Sequence, residues 1–319
     1  MSAELKAEMG PQIVLGTMYY GTKTSETTAR DLMSAFVDLG GRWLDTANCY
    51  SFWEDASGVG GASEEVIGRW LADGPHRRDR VRIATKVRQQ PTVPHRWPET
   101  AEGLSPEAIH RGLDGSLQRL GLDAVDLLWA HAEDRSVPLV QTVKAFGEQV
   151  AAGRVGMLGA SNHRAWRVER ARVLARQRGL ACYEAMQLRR SYVSPRPGAP
   201  VPEEGQMFAD EETLDYTAAE RLPLWVYLSL LYGTYVREDR PLSEPYDHPG
   251  TTRRRAALAE IVADTGATAN QVVLSWLMSG ASPASPIVGV SSVDQLTDVM
   301  AAHELTLDDE HRRRLDEAT

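Results

Sequence analysis

The stretch Leu15, Gly16, Thr17, Met18, Tyr19, Tyr20, Gly21 closes the first apolar run of the chain, and its glycines decide between two folds. A chain that opens with a strand, a turn and a helical pattern belongs either to a doubly wound sheet or to a closed barrel. The doubly wound dinucleotide fold carries G-x-G-x-x-G at that turn, where missing side chains let the backbone approach a pyrophosphate. Gly16 and Gly21 have the wrong separation for it. Beyond this stretch, short β-rich runs recur at residues 13–16, 42–45, 82–86, 124–129, 156–161, 183–187, 224–228 and 286–290. Helical periodicity follows at residues 27–39, 64–71, 106–120, 139–152, 165–178, 211–220, 253–265 and 293–301. Ser105 before Pro106 is an N-cap followed by proline at the first helical position. This order predicts an α/β fold, a (β/α)8 TIM barrel with a parallel eight-stranded barrel, as one domain over residues 1–319. Glycine- or proline-bearing inserts at 51–62, 89–103, 194–207 and 231–250 all follow strands, so they are expected to crowd the C-terminal face, where barrel active sites assemble.

Composition narrows the function classes. Hydrophobic residues at 42% and charged residues at 25% fit a globular chain able to bury a core without disulfides or a structural metal. Cys49 and Cys182 belong to no CxxC or Cys/His cluster, which argues against a zinc site and fits a reducing, cytoplasmic compartment. The first residues mix Glu and Lys and lack the apolar core of a signal peptide, and no apolar run is long enough to span a bilayer. A net charge of −9 disfavours a nucleic-acid surface, and Arg253, Arg254 and Arg255 read as a solvated helix face.

The expected strand ends carry chemistry. Asp45 and Tyr50 follow the second strand, Lys86 ends the third, and His131 lies just past the fourth. Each alone has a plain structural role as cap, rim charge or core histidine. Together they form a proton relay better than a hydrolytic triad or a metal site. A free phenol titrates near pH ~10. An ammonium about 4 Å away, at an effective dielectric of about 20, favours the phenolate by roughly 4 kcal/mol, or about 3 pKa units. A carboxylate on the same lysine makes that an upper bound. The expectation is a Tyr50 tuned downward by Lys86, held by Asp45, with His131 orienting a carbonyl.

The chain resembles the aldo-keto reductase superfamily over essentially its whole length. D-T-A-N-C-Y at residues 45–50 matches the family's D-T-A-x-x-Y signature. S-E-E-V-I-G at 63–68, T-K at 85–86, S-L-Q-R-L-G at 116–121 and G-A-S-N at 159–162 follow in the family's order. The resemblance implies that Tyr50 donates the proton, Lys86 tunes it, Asp45 holds Lys86 and His131 positions the carbonyl. It implies that Ser161, Asn162 and Gln187 hydrogen-bond a nicotinamide carboxamide while Tyr227 stacks on the ring. The family binds its dinucleotide without a Rossmann domain, in keeping with the missing fingerprint. Three departures stand out. Tyr227, Leu228, Ser229, Leu230 replaces the usual Tyr-Ser-Pro-Leu, so a pyrophosphate hydroxyl contact is displaced or lost. After the eighth strand, near Gly289, a basic residue is missing at Ser291, although Gln295 matches. The usual Glu-Asn that ends this motif is Asp298, Val299. NADPH is the favoured cofactor and NADH the alternative. Tyr19, Phe52, Trp53, Trp97 and Trp129 are expected to wall a pocket for a small apolar or ring-bearing carbonyl compound. Rival readings are a nucleotide-binding regulatory module, the reverse reaction as a sugar or alcohol dehydrogenase, and a Schiff-base lyase on Lys86.

Overall fold

Strands covered by helices on the outside and by one another's side chains on the inside must be apolar on both faces, and they need no alternation. The eight strands have this character in the computed structural model, which describes residues 2–74, 76–200 and 205–318. Helix α1 (Ser2–Glu8) precedes β1 (Val14–Gly16), α2 (Glu26–Asp38), β2 (Trp43–Asp45), α3 (Ala62–Ala72), the short α4 (Arg77–Arg80) and β3 (Arg82–Val87). Then come α5 (Pro106–Leu120), β4 (Val125–Ala130), α6 (Leu139–Ala151), β5 (Val155–Ser161), α7 (Ala165–Arg176) and β6 (Tyr183–Arg189). The last part holds α8 (Glu211–Ala219), β7 (Leu224–Tyr227), α9 (Pro249–Thr265), α10 (Ala269–Met278), β8 (Ser285–Val288), α11 (Val293–Met300) and α12 (Asp309–Glu317). The strands follow one another around a closed barrel, all parallel, and β1 closes on β8 through Val14 opposite Ile287. This is the (β/α)8 barrel.

Local chemistry sets the helix ends. The Ser105 hydroxyl accepts from the Ala108 amide at 3.2 Å, and Gly121 ends α5 at φ 66°, where a Cβ would be strained. Thr268 and Gln271 form a reciprocal capping box on α10. Besides the short α4, three helices lie outside the periodic segments expected from the sequence. Helix α1 is short and plugs the barrel base with Leu5 and Met9. Helix α10 buries Val272, Val273, Leu274 and Leu277 and so lacks a clear polar stripe. Helix α12 is charged almost throughout and buries Leu315.

The barrel interior is packed with rings. Trp225 sits 5.2 Å from Trp43 and 5.4 Å from Trp129, centroid to centroid, above Leu5 and Met9. Trp129 therefore corrects an expectation. It is fully buried inside the barrel and offers no surface to the mouth, because its strand register places it beside Lys86 on the inward face. Room for it comes from the neighbouring strand, where a Cβ on Gly159 would stand 2.2 Å from the Trp129 ring. Of the four inserts after strands, residues 201–204 within 194–207 lie outside the described residues.

Gly159→Ala is expected to lower the midpoint of chemical denaturation by the equivalent of roughly 1–3 kcal/mol, the usual penalty for overpacking. Combining it with Trp129→Leu should restore part of that loss, so the two changes are non-additive. Additive losses in a double-mutant cycle would separate the glycine from the ring.

Candidate active site

Lys86 dictates the local geometry, because a fully buried ammonium must spend all its protons on acceptors. Its Nζ donates to Asp45 Oδ2 at 2.5 Å, to the Thr46 carbonyl at 2.8 Å and to Tyr50 Oη at 2.6 Å. The backbone permits this because β2 and β3 stay paired past the end of β2. The Thr46 amide donates to the Ala84 carbonyl and the Asn48 amide to the Lys86 carbonyl, before a turn returns Tyr50 over the lysine. The other Asp45 oxygen accepts from Gln187 Nε2 at 3.0 Å, tying β2 to β6 across the barrel. Asp45 and Lys86 are buried, whereas Tyr50 and His131 are half-buried and reach the mouth, with ring centroids 5.9 Å apart and nearly perpendicular planes.

The electrostatics correct one expectation. Tyr50 is shifted upward, well above the ordinary phenol value, because burial penalises the phenolate and the Asp45 carboxylate opposes it. The Lys86 charge is shared with Asp45, whose carboxylate offsets its pull on the phenol. Tyr50 is therefore a firmly protonated phenol. Burial pushes Lys86 down and Asp45 up, each opposed by the other's charge. His131 lies well below the ordinary imidazole value through burial and the charges of Lys86 and Arg88, so its ring is neutral. Cys49 Sγ stands 3.7 Å from His131 Nδ1, and burial pushes that thiol up to about 12. When the thiol donates to Nδ1, the proton of the neutral ring is on Nε2. Sequence reasoning did not single out Cys49 for this contact, nor Arg88, which lies two residues beyond Lys86, just past the end of β3.

The residues expected around a nicotinamide gather at the ends of β5, β6 and β7. Asn162, in the left-handed region at φ 53°, is fully engaged. Its Nδ2 donates to the His131 carbonyl at 3.1 Å and to Ser161 Oγ at 3.2 Å. Its Oδ1 accepts from Tyr227 Oη at 2.6 Å and from the Met207 amide at 3.1 Å. That leaves the Ser161 hydroxyl proton and Gln187 Oε1 as a donor and an acceptor side by side, the pair that a carboxamide requires. The donor set fits a nicotinamide.

Past β7, Leu228, Leu231 and Tyr232 have positive φ, and Leu230 is half-buried between them. The Ser229 hydroxyl donates inward to the Val226 carbonyl at 2.8 Å and is spent on the backbone. Past β8, Gly289 faces open space, and Gln295 Oε1 accepts from both the amide and the hydroxyl of Ser291. Asp298 corrects a further expectation. Its carboxylate accepts from Thr268 Oγ1 at 3.1 Å and Gln271 Nε2 at 2.9 Å, so it braces the start of α10 and is not turned to a cofactor. On the opposite rim, Trp53 meets Tyr19 and Phe52 edge-on at 6.5 and 5.0 Å, and Phe52 lies 6.2 Å from Trp97.

Comparison with known proteins gives the family of the chain. A family model described as the Aldo/keto reductase family matches residues 12–319. The chain belongs to the aldo/keto reductase family. It is 31% identical to the uncharacterized oxidoreductase YrpG of Bacillus subtilis, over 96% of this chain and 91% of that one. Identity is 26% to the norsolorinic acid reductase stcV of Emericella nidulans, over 93% and 75%. It is 28% to the NADP(+) aldo-keto reductase yakc of Schizosaccharomyces pombe, over 97% and 88%. This aldo/keto reductase is thus an NAD(P)H-dependent oxidoreductase of the carbonyl-reducing kind. Among its described residues no group of His, Cys, Asp or Glu could hold a metal ion, and no helix is long and apolar enough to cross a membrane.

The buried histidines give the reductase an acid-labile fold. His163, whose Nδ1 donates to the Ser161 carbonyl at 2.7 Å, is lowered from 6.5 to about 4 by burial. A depressed pKa contributes stability that is present above about pH 6.5 and lost as pH falls toward 4, roughly 3 kcal/mol in all. His131 acts with the same sign. Urea midpoints should therefore fall from pH 7.5 to pH 5, and His163→Asn should flatten that fall. An equal slope in the variant would show that His163 is not the titrating group.

Proposed function

We propose that the protein reduces an aldehyde or ketone to an alcohol with Tyr50 as the proton donor. The observation carrying this reading is the Lys86 ammonium 2.6 Å beneath the Tyr50 oxygen, itself buried and held by Asp45. The substrate oxygen lies against Tyr50 Oη and His131, the two members of the quartet that reach the mouth. Ser161 and Gln187 would hold a dihydronicotinamide, which when bound would supply the hydride. As the carbonyl oxygen becomes an alkoxide, a stronger base than a phenolate, the Tyr50 O–H passes its proton to it. The phenolate that remains meets Lys86 at hydrogen-bond distance, in a site where a lysine contact is worth several kcal/mol more than in water. The upward-shifted phenol suits this role, because it keeps its proton until the alkoxide forms. The neutral His131 ring donates a hydrogen bond to the same oxygen and fixes its direction.

NADPH is the favoured cofactor, in line with the name of the yeast relative yakc, and NADH the alternative. Ser291 offers no positive charge for a 2′-phosphate, and Asp294 stands in the first turn of α11. The pairing of Lys86 with Asp45 keeps the amine protonated, which opposes the Schiff-base reading. The engaged relay of Asp45, Lys86 and Tyr50 favours turnover over a purely regulatory role.

Tyr50→Phe should lower turnover at least ~100-fold, the usual range for removing a positioned acid, with cofactor affinity nearly intact by fluorescence titration. Lys86→Met should act alike and alter the pH–rate profile. Wild-type rates in Tyr50→Phe across a panel of aldehydes and ketones would refute the donor. Ser291→Arg should raise the NADPH/NADH preference in the same assay, and an unchanged ratio would remove that loop from cofactor choice.

A further inference from the structure

Arg88 lies just past the end of β3 and, among the described residues, makes no hydrogen bond to the relay. Its backbone lies at φ 122°, a region that strains any residue with a side chain. Two bonds pin it there: its amide donates to Glu102 Oε1 at 2.7 Å, and its carbonyl accepts from the Gly103 amide at 3.2 Å. Glu102 is anchored in turn by Asn48 Nδ2 at 2.7 Å. A strained backbone held this firmly aims a side chain.

That side chain is a permanent cation with an unused donor. Arg88 Nη1 donates to Gln89 Oε1 at 2.6 Å, which also accepts from Trp97 Nε1 at 3.2 Å. Its Nε is buried without a hydrogen-bond partner, and among the described residues Arg88 forms no ion pair. The carboxylate that senses its charge, Asp134, is already taken by the Leu104 amide and by Ser136. The Val87 carbonyl, one residue before it, accepts from the His131 amide at 3.0 Å, which sets Arg88 next to the His131 end of the site. In the closed strand order β3 stands four strands from β7, so Arg88 lies across the mouth from Tyr227 and beside the aromatic wall of Phe52 and Trp97. Through Gln89 Oε1 its Nη1 is joined to Trp97, so the guanidinium stands on the side of the aromatic wall.

We propose that Arg88 is a specificity-determining residue that seats an anionic oxygen of the substrate, a carboxylate or phenolate on a ring-bearing aldehyde or ketone. The inference rests on the reductase reading for its substrate and on the Arg88 geometry for its charge. An arginine fork pairs with such an oxygen in a charge-assisted hydrogen bond.

The test compares 4-carboxybenzaldehyde with its neutral methyl ester in wild type, Arg88→Met and Arg88→Gly. Wild type should prefer the carboxylate by at least about tenfold in kcat/KM, which is about 1.4 kcal/mol, and both variants should bring the ratio near one. A wild-type ratio near one overturns the proposal while leaving the reductase reading intact. A preference that survives both substitutions also overturns it, since the anion is then held by Lys86 or His131. If neither aldehyde is turned over, the reductase reading fails for them, and Arg88 is judged by tryptophan-fluorescence titration with benzoate and benzamide. Tighter binding of benzoate, abolished in Arg88→Met, supports the inference, and equal binding in wild type overturns it. Arg88→Gly relieves the φ strain, so its Tm should hold or rise. A large fall would identify the guanidinium as a structural tie and overturn the proposal.

Discussion

A buried ammonium is the constraint around which this molecule is arranged. Removing such an ion from water costs several kcal/mol even after relaxation, and its protons must be matched by acceptors at good geometry. For Lys86 those acceptors are a carboxylate, a carbonyl and a phenol, all within the six residues from Asp45 to Tyr50. Satisfying them requires β2 and β3 in register past the end of β2, and a turn that folds Tyr50 back over the lysine. The catalytic geometry and the solution to the burial problem are the same structure. A change that loosens either strand leaves a charge stranded, so function and stability are coupled here more tightly than at a surface site.

The barrel was legible because each βα unit announces itself by local chemistry: Ser105 and Pro106 opening α5, and the apolar runs that became β3, β4 and β5. What escaped depended on contacts between distant elements. Helix α10 is buried nearly all round and shows no stripe to read, and α1 matters as a plug whose partners lie on several strands. Asp298 sits near a matching motif, yet the capped start of α10 captures it. Trp129 occupies a strand end like the functional residues, but an aromatic ring beside glycine-bearing β5 turns into the barrel.

The candidate site was readable as a list of residues and misread in its electrostatics. Pairwise Coulomb reasoning gives Lys86 a direct pull on Tyr50. The fold instead gives that charge to Asp45 first and then removes water from all three groups. Burial is a collective property of many side chains, so a sign decided by it cannot be found by inspecting one pair. Asn162 makes the same point for recognition. A motif position suggests a ligand contact, whereas its four hydrogen bonds show it joining the ends of β4, β5 and β7 and leaving Ser161 and Gln187 free to act.

The mouth divides into two chemically distinct halves because the strand order forces it to. Ends of β5 to β7 converge on amide and hydroxyl groups in fixed hydrogen bonds, suited to one constant ligand. Ends of β1 to β3 carry Tyr19, Phe52, Trp53 and Trp97 on long inserts, with Arg88 among them. Rings on loops can be exchanged without disturbing the barrel, and a cation there biases charge without touching the relay. The strained φ at Arg88 falls where the chain leaves β3, just past the lysine. The cost of that strain is borne by Glu102 and Asn48, which lie behind the strand and away from the chemistry.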